Sequence, residues 1–267
     1  MPTLLNKISI VILLCSLVAC NNPGKESEPV TTSSSNAVPA SCKLKLLTAN
    51  NAMSAGEMIN FQFKALSQPG DSLLTIEPVM QKKMHLFITD DDLSYFSHLY
   101  TDKDSAGICS ISSKLPSGGD YILMADYKVE GLQRQTDTFH INVKGPAAKT
   151  SPFTSAKLTC SVDGYELQLL PKKMIPGNQG MIVMKMFKDG NPVLPETLQP
   201  YLGDAAHITM MNTVTKENIQ VASKSDPMSY WFMPNFPRAG LYRAWIEFMS
   251  NNTLHIAGFV IEVKPAG

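Results

Sequence analysis

The chain lacks any excess of charge. Lys plus Arg number 23 and Asp plus Glu number 23, and no stretch gathers the basic residues into a stripe, which excludes nucleic acid as a partner. Catalytic signatures are missing as well. There is no Gly-x-Ser-x-Gly elbow, no glycine-rich phosphate loop and no His-Glu-x-x-His, and the acids and histidines form no general acid–base set, so the expectation is a protein that is not an enzyme. No apolar run is long enough to cross a bilayer as a helix. Cysteine is scarce, at five in 267 residues. Glycine and proline sit at segment ends rather than in tracts, which excludes a low-complexity chain.

What is there is a repeat. Leu115-Pro116-Ser117-Gly118-Gly119-Asp120-Tyr121 is followed by a strand-like run to Tyr127 and closes with Phe139-His140-Ile141-Asn142-Val143-Lys144. Phe236-Pro237-Arg238-Ala239-Gly240-Leu241-Tyr242 is followed by a similar run to Phe248 and closes with Phe259-Val260-Ile261-Glu262-Val263-Lys264. A repeat of this length is a duplicated domain rather than a solenoid unit.

The N-terminus reads as a secretion signal over residues 1–19: Lys7 supplies the positive region, and Ile8 to Ala19 is apolar but short. The run ends Leu17-Val18-Ala19-Cys20, which resembles the cleavage box of bacterial lipoproteins. Cys20 is then the lipidated residue, and its acyl chains would hold the protein on a membrane. Asn21 in second place favours the outer membrane, facing the periplasm. Residues 20–41 are rich in Ser, Thr, Pro and Asn and read as a flexible tether that reaches roughly 25 Å. The remainder divides into domain 1 (42–145), a linker (146–155) and domain 2 (156–267), each large enough for its own core.

Both units read as all-β. Leu44 and Leu46, then Ile59, Phe61 and Phe63, alternate with polar residues, the mark of half-buried strands. Breakers such as Pro69-Gly70-Asp71 and Asp163-Gly164 separate the runs, the latter as a two-residue hairpin. Short strands at this density predict two tandem immunoglobulin-like antiparallel β-sandwiches.

His85-Leu86-Phe87-Ile88, Asp92-Leu93-Ser94-Tyr95-Phe96 and His98 in the first unit, with Pro200-Tyr201-Leu202-Gly203 and His207 in the second, resemble bacterial secreted proteins with YtkA-like domains, often found near copper and heavy-metal handling systems. In that family the strand histidine is followed thirteen residues on by His-x-His-Pro. Here His98 keeps the first place, while Tyr100 and Thr101 replace the rest; the second unit has Gln220, Ala222 and Ser223. The resemblance implies a metal site in domain 1, with His85 and His98 as ligands, Met80 and Met84 as helpers, and copper as the ion. The other reading of His85 and His207 is that each hydrogen-bonds a loop backbone and locks the fold. A metal-free module that binds an envelope protein is the alternative function.

Other residues read more simply. Asp90-Asp91-Asp92 lacks the EF-hand spacing and reads as a turn and helix cap. Met184 and Met186 share a strand face and read as core filling rather than a copper surface, and His140 and His255 read as surface residues. Trp231, Trp245, Tyr121 and Tyr242 read as core aromatics near the repeated corner. Cys42 and Cys109 share a unit and are the candidates for a disulfide; the other reading is that Cys42, Cys109 and Cys160 are small buried thiols.

Overall fold

The computed structural model describes residues 41–49, 53–101 and 104–265. The signal segment, Cys20 and the tether as far as residue 40 lie outside the described residues. Copy 1 runs through β1 (Ser41–Leu46), β2 (Met58–Gln68), β3 (Ile76–Glu77), β4 (Met84–Asp90), β5 (Phe96–Thr101), β6 (Asp104–Ser105), β7 (Ile108–Lys114), β8 (Gly119–Val129) and β9 (Arg134–Val143). Copy 2 runs through β10 (Thr159–Val162), β11 (Tyr165–Lys172), β12 (Met181–Lys188), β13 (Asn191–Pro192), β14 (Ala206–Asn212), β15 (Asn218–Ala222), β16 (Lys224–Asp226), β17 (Ser229–Phe232), β18 (Gly240–Ser250) and β19 (Thr253–Val263). Between β13 and β14 lies one turn of 3-10 helix, Pro195–Thr197. All ladders between these strands are antiparallel.

Each copy is a sandwich with an outer and an inner sheet. The outer sheets are β1-β2-β7-β6 in copy 1 and β10-β11-β12-β17-β16 in copy 2; the inner ones are β3-β8-β4-β5, with β9 beside β8, and β15-β14-β18-β19. Alternation builds the outer sheets. In β2, Ile59, Phe61, Phe63 and Ala65 point into the sandwich while Met58 and Asn60 face solvent; side chains two apart share a face. Tyr165, Leu167 and Leu169 of β11 and Met184 and Met186 of β12 do the same in copy 2, and Met181 is exposed.

The inner sheets show no alternation of burial, and this is what positions the site. Every residue of β4 and β14 is buried, as is Tyr121 to Tyr127 of β8. One face of β4 (Met84, Leu86, Ile88) and of β8 (Tyr121, Leu123, Ala125, Tyr127) enters the core of copy 1. The matching faces of β14 and β18 enter the core of copy 2. Their other faces form a third cluster, Phe87, Leu93, Ile122 and Met124 from copy 1 with Met211 and Trp245 from copy 2. The inner sheets therefore pack against each other, and a strand covered on both sides is largely apolar, with each buried polar residue needing a partner.

The repeated corner is the same in both copies. Tyr121 Oη donates to the Ser117 carbonyl at 3.0 Å, and Tyr242 Oη donates to the Arg238 carbonyl at 3.0 Å. Gly119 and Gly240 hold φ of 126° and 134° there, a conformation that residues with a side chain rarely adopt. Trp245 departs from its expected place: it lies between the copies, where its ring stacks on Phe96 at 4.4 Å. Trp231 is half-buried on the outer sheet. The acidic run caps a turn and no helix follows: Asp90 accepts from the Ser94 and Tyr95 amides at 2.7 and 3.0 Å.

Among the described residues no disulfide joins Cys42, Cys109 or Cys160. β1 and β7 flank β2 on opposite sides, with Cys42 opposite Ser67 and Cys109 opposite Phe63. That places Cys42 and Cys109 two strands apart, about 10 Å, and several residues apart along the strands, beyond the ~7 Å Cα separation a disulfide can span. Cys42 Sγ instead lies 3.6 Å from Tyr127 Oη.

Candidate functional site

The polar residues of the inner sheets meet at the interface between the copies. On β4, His85 pairs with Asp126 of β8 and Tyr100 of β5; on β14, His207 pairs with Glu247 of β18 and Ala222 of β15. The two histidines do the same thing. His85 Nε2 lies 2.8 Å from the Val79 carbonyl and His207 Nε2 lies 2.8 Å from the Tyr201 carbonyl, each six residues upstream. Each carbonyl accepts the ring N–H, which pins the loop before its strand. Burial holds both rings below their ordinary range: His85 is pulled down to about 4, and His207 is lowered.

With Nε2 donating, His85 Nδ1 is an acceptor. It faces His98 Nε2 at 3.0 Å, so His98 donates there. His98 Nδ1 then faces the Glu247 carboxylate at 2.9 and 3.0 Å. The side chains of His98 and Glu247 are 2% and 0% exposed, so this contact lies out of reach of solvent. Tyr201 Oη also donates to Glu247, at 3.3 Å, and burial next to that carboxylate raises the phenol above its usual range.

The reciprocal contacts are quasi-symmetric. Gln220 occupies in β15 the place of His98 in β5, and Asp126 occupies in β8 the place of Glu247 in β18. Gln220 reaches Asp126 through Arg134: Arg134 Nε donates to Asp126 at 2.8 Å and Arg134 Nη2 donates to Gln220 Oε1 at 3.0 Å. Likewise Phe96 on Trp245 has its counterpart in Asn218, which donates to Met124 Sδ at 3.1 Å. A cavity of about 100 Å³ lies at the centre, bordered by Met80, His98, Arg134, His207, Gln220 and Glu247.

Of the residues expected to hold a metal, His85 and His98 come together, and Met80 borders the adjacent cavity. Met84 does not join them. It is next to His85 on a strand, so it points the other way and is buried in the core of copy 1. His85 Nδ1 and His98 Nε2 converge to 3.0 Å, close enough to face one ion at about 2 Å from each, but among the described residues no group of three or more His, Cys, Asp or Glu is arranged to hold one. His255 is not a surface residue either; it is buried, stacks on Phe248 and contacts Asp163 at 2.7 Å. His140 is exposed.

Asp126, Glu247 and Arg134 were not among the expected site residues. A signal for the two acids was present: each interrupts an otherwise apolar strand at matching places in the repeat, and an acid there needs a partner. Which partner it takes is set by the docking of two sheets from distant parts of the chain.

Two antiparallel β-sandwiches of immunoglobulin-like type, repeated in tandem and packed through their inner sheets, define the class of protein. The chain belongs to the family described as a domain of unknown function (DUF8832), whose model matches twice, at residues 41–145 and 160–265. That match says nothing of the YtkA-like domains that the motifs resemble, nor of copper. No curated protein sequence matches the chain. Among solved structures it is similar to invasin, a bacterial integrin-binding protein, at 13% identity and a TM-score of 0.25, over 85% of this chain and 40% of that one. It is also similar to domains 5-6 of the S-layer protein SbsC (10%, TM-score 0.27, 86% and 99% covered) and to the D0-D1 domain of intimin (9%, TM-score 0.23, 84% and 95% covered).

Proposed function

We propose that this chain is a non-enzymatic lipoprotein of the bacterial cell envelope, held at the outer membrane through Cys20, that presents a rigid pair of immunoglobulin-like domains to a protein partner or to the envelope structure. The observation that carries it is the His98–Glu247 contact at 2.9 Å between the copies. The histidines that would otherwise be metal ligands are used to join the domains. A joined pair on a tether offers its outer sheets and loops to a partner at a defined spacing. The lipid anchor rests on the Leu17-Val18-Ala19-Cys20 box.

Calorimetric titration of the purified chain with Cu(I), Cu(II) and Zn(II) tests the metal-free reading. The expected result is no saturable site that depends on His98. A stoichiometric site abolished by His98→Ala overturns the reading in favour of copper or zinc handling. Acyl labelling in cells tests the anchor: label is expected on the wild-type chain and absent from Cys20→Ala.

A further inference from the structure

The face that joins the copies is made of the same positions on both sides. β5 of copy 1 lies against β18 of copy 2, through Phe96–Trp245 and His98–Glu247. β15 of copy 2 lies against β8 and β9 of copy 1, through Asn218–Met124 and Gln220–Arg134. Contacts that exchange in this way are the mark of an isologous interface, the kind that two identical subunits form.

The third apolar cluster and Lys216, whose ammonium contacts the Asp91 carboxylate at 3.7 Å, also tie the copies, whereas the linker adds little. Residues 144–156 are exposed apart from Thr150, which donates to Asp92 at 2.6 Å, and Phe153, which packs beside Trp245 and under Arg243. Each copy also has a closed core of its own.

The two faces differ in what they would meet if paired with themselves. In a pair of copies 1, Phe96 would lie on Met124, a favourable sulfur–aromatic contact. His98 Nδ1 would face Arg134 and Asp126, and it can be partnered by either: it accepts from a guanidinium and donates to a carboxylate. In a pair of copies 2, Glu247 would keep the Tyr201 hydroxyl and face Gln220, leaving a buried carboxylate with no cation, and Trp245 would meet Asn218. A buried charge without a counter-charge opposes association.

We infer that copy 1 is self-complementary through its β4-β5-β8-β9 face and pairs with a second copy of itself, whereas copy 2 does not; the Gln220/Glu247 combination makes copy 2 a partner for copy 1 only. The chain is a fused dimer whose second half is barred from pairing with its own kind, which directs each chain to close on itself. This names the partner of the interface and rests on the reading that the histidine cluster joins domains.

Residues 41–150 and 151–267, expressed separately, test it by light scattering with EDTA present. Fragment 41–150 is expected at twice its chain mass and to fall to one chain mass in His98→Ala and in Phe96→Asp. Fragment 151–267 is expected to be monomeric, and Gln220→His to shift it toward dimer. Mixing the wild-type fragments should give a one-to-one complex. A folded, monomeric 41–150 fragment overturns the inference and leaves the proposed function standing. Dimerisation that EDTA abolishes and zinc or copper restores overturns the proposed function instead. Should circular dichroism show the fragment unfolded, the full chain carrying Trp245→Asp and Gln220→Lys decides, because these changes release copy 2 from the copy 1 face: a dimer that His98→Ala abolishes upholds the inference and a folded monomer sinks it.

Discussion

His98 of copy 1 and Glu247 of copy 2, 149 residues apart in sequence, meet at 2.9 Å with neither side chain open to water. Such a pair is costly to break from one side, because the survivor stays buried without its partner.

His98→Ala and Glu247→Ala are each expected to lower the free energy of unfolding by about 3 kcal/mol. The double substitution to Ala should cost clearly less than the sum, since no orphaned charge remains. Urea denaturation of the four proteins of the cycle measures this; simple additivity would mean the two residues do not interact.

Stability should fall in mild acid. Burial, the largest cause, pulls the folded-state His85 down from 6.5 to about 4; the nearby His98 and Arg134 lower it further, and the Val79 carbonyl and Asp126 partly oppose this. Between these values the unfolded chain binds a proton that the folded chain does not. The contribution is therefore intact above pH 6.5, is lost as pH falls toward 4, and amounts to roughly 3 kcal/mol in all. His207 is shifted the same way and adds to the slope. Melting temperature against pH for wild type and His85→Gln checks it: the variant's curve should be flatter between pH 4 and 6.5.

The repeated tyrosine corner should be worth the same in both copies. Tyr121→Phe and Tyr242→Phe each remove one buried hydroxyl and its bond to a loop carbonyl, at a cost of about 1 kcal/mol apiece. Chemical denaturation should show two similar losses that add.

The thiols should all be reducible-independent. Alkylation in denaturant without reductant is expected to label Cys42, Cys109 and Cys160. In the folded protein Cys42 and Cys160, which are partly exposed, should react before the buried Cys109. Mass spectrometry that finds Cys42 and Cys109 protected together would restore the disulfide.

Much of the fold was legible in the sequence because it depends on near neighbours. Ile59, Phe61 and Phe63 alternate with polar residues, Asp163-Gly164 turns a hairpin, and Pro, Gly and Tyr recur at one offset. Each feature is set within a few residues by the two-residue side-chain period and by turn conformation. The site was legible only in part. The spacing from His85 to His98 brings them opposite each other on adjacent strands, and β4 and β5 alone decide that. Met84 was misplaced for the same local reason read the wrong way: adjacent strand residues point to opposite faces.

What the sequence alone determined is the all-β character, the duplication and the corner that repeats with it. The tertiary structure decided what the histidines do. Strand pairing puts His85 against His98, but only the docking of two inner sheets supplies Glu247 and turns Arg134 toward Gln220. That docking also explains why β4, β8 and β14 are buried on both faces. A buried polar group takes whatever partner the opposing surface brings, and the opposing surface is chosen by packing over long sequence distances, which no local pattern encodes.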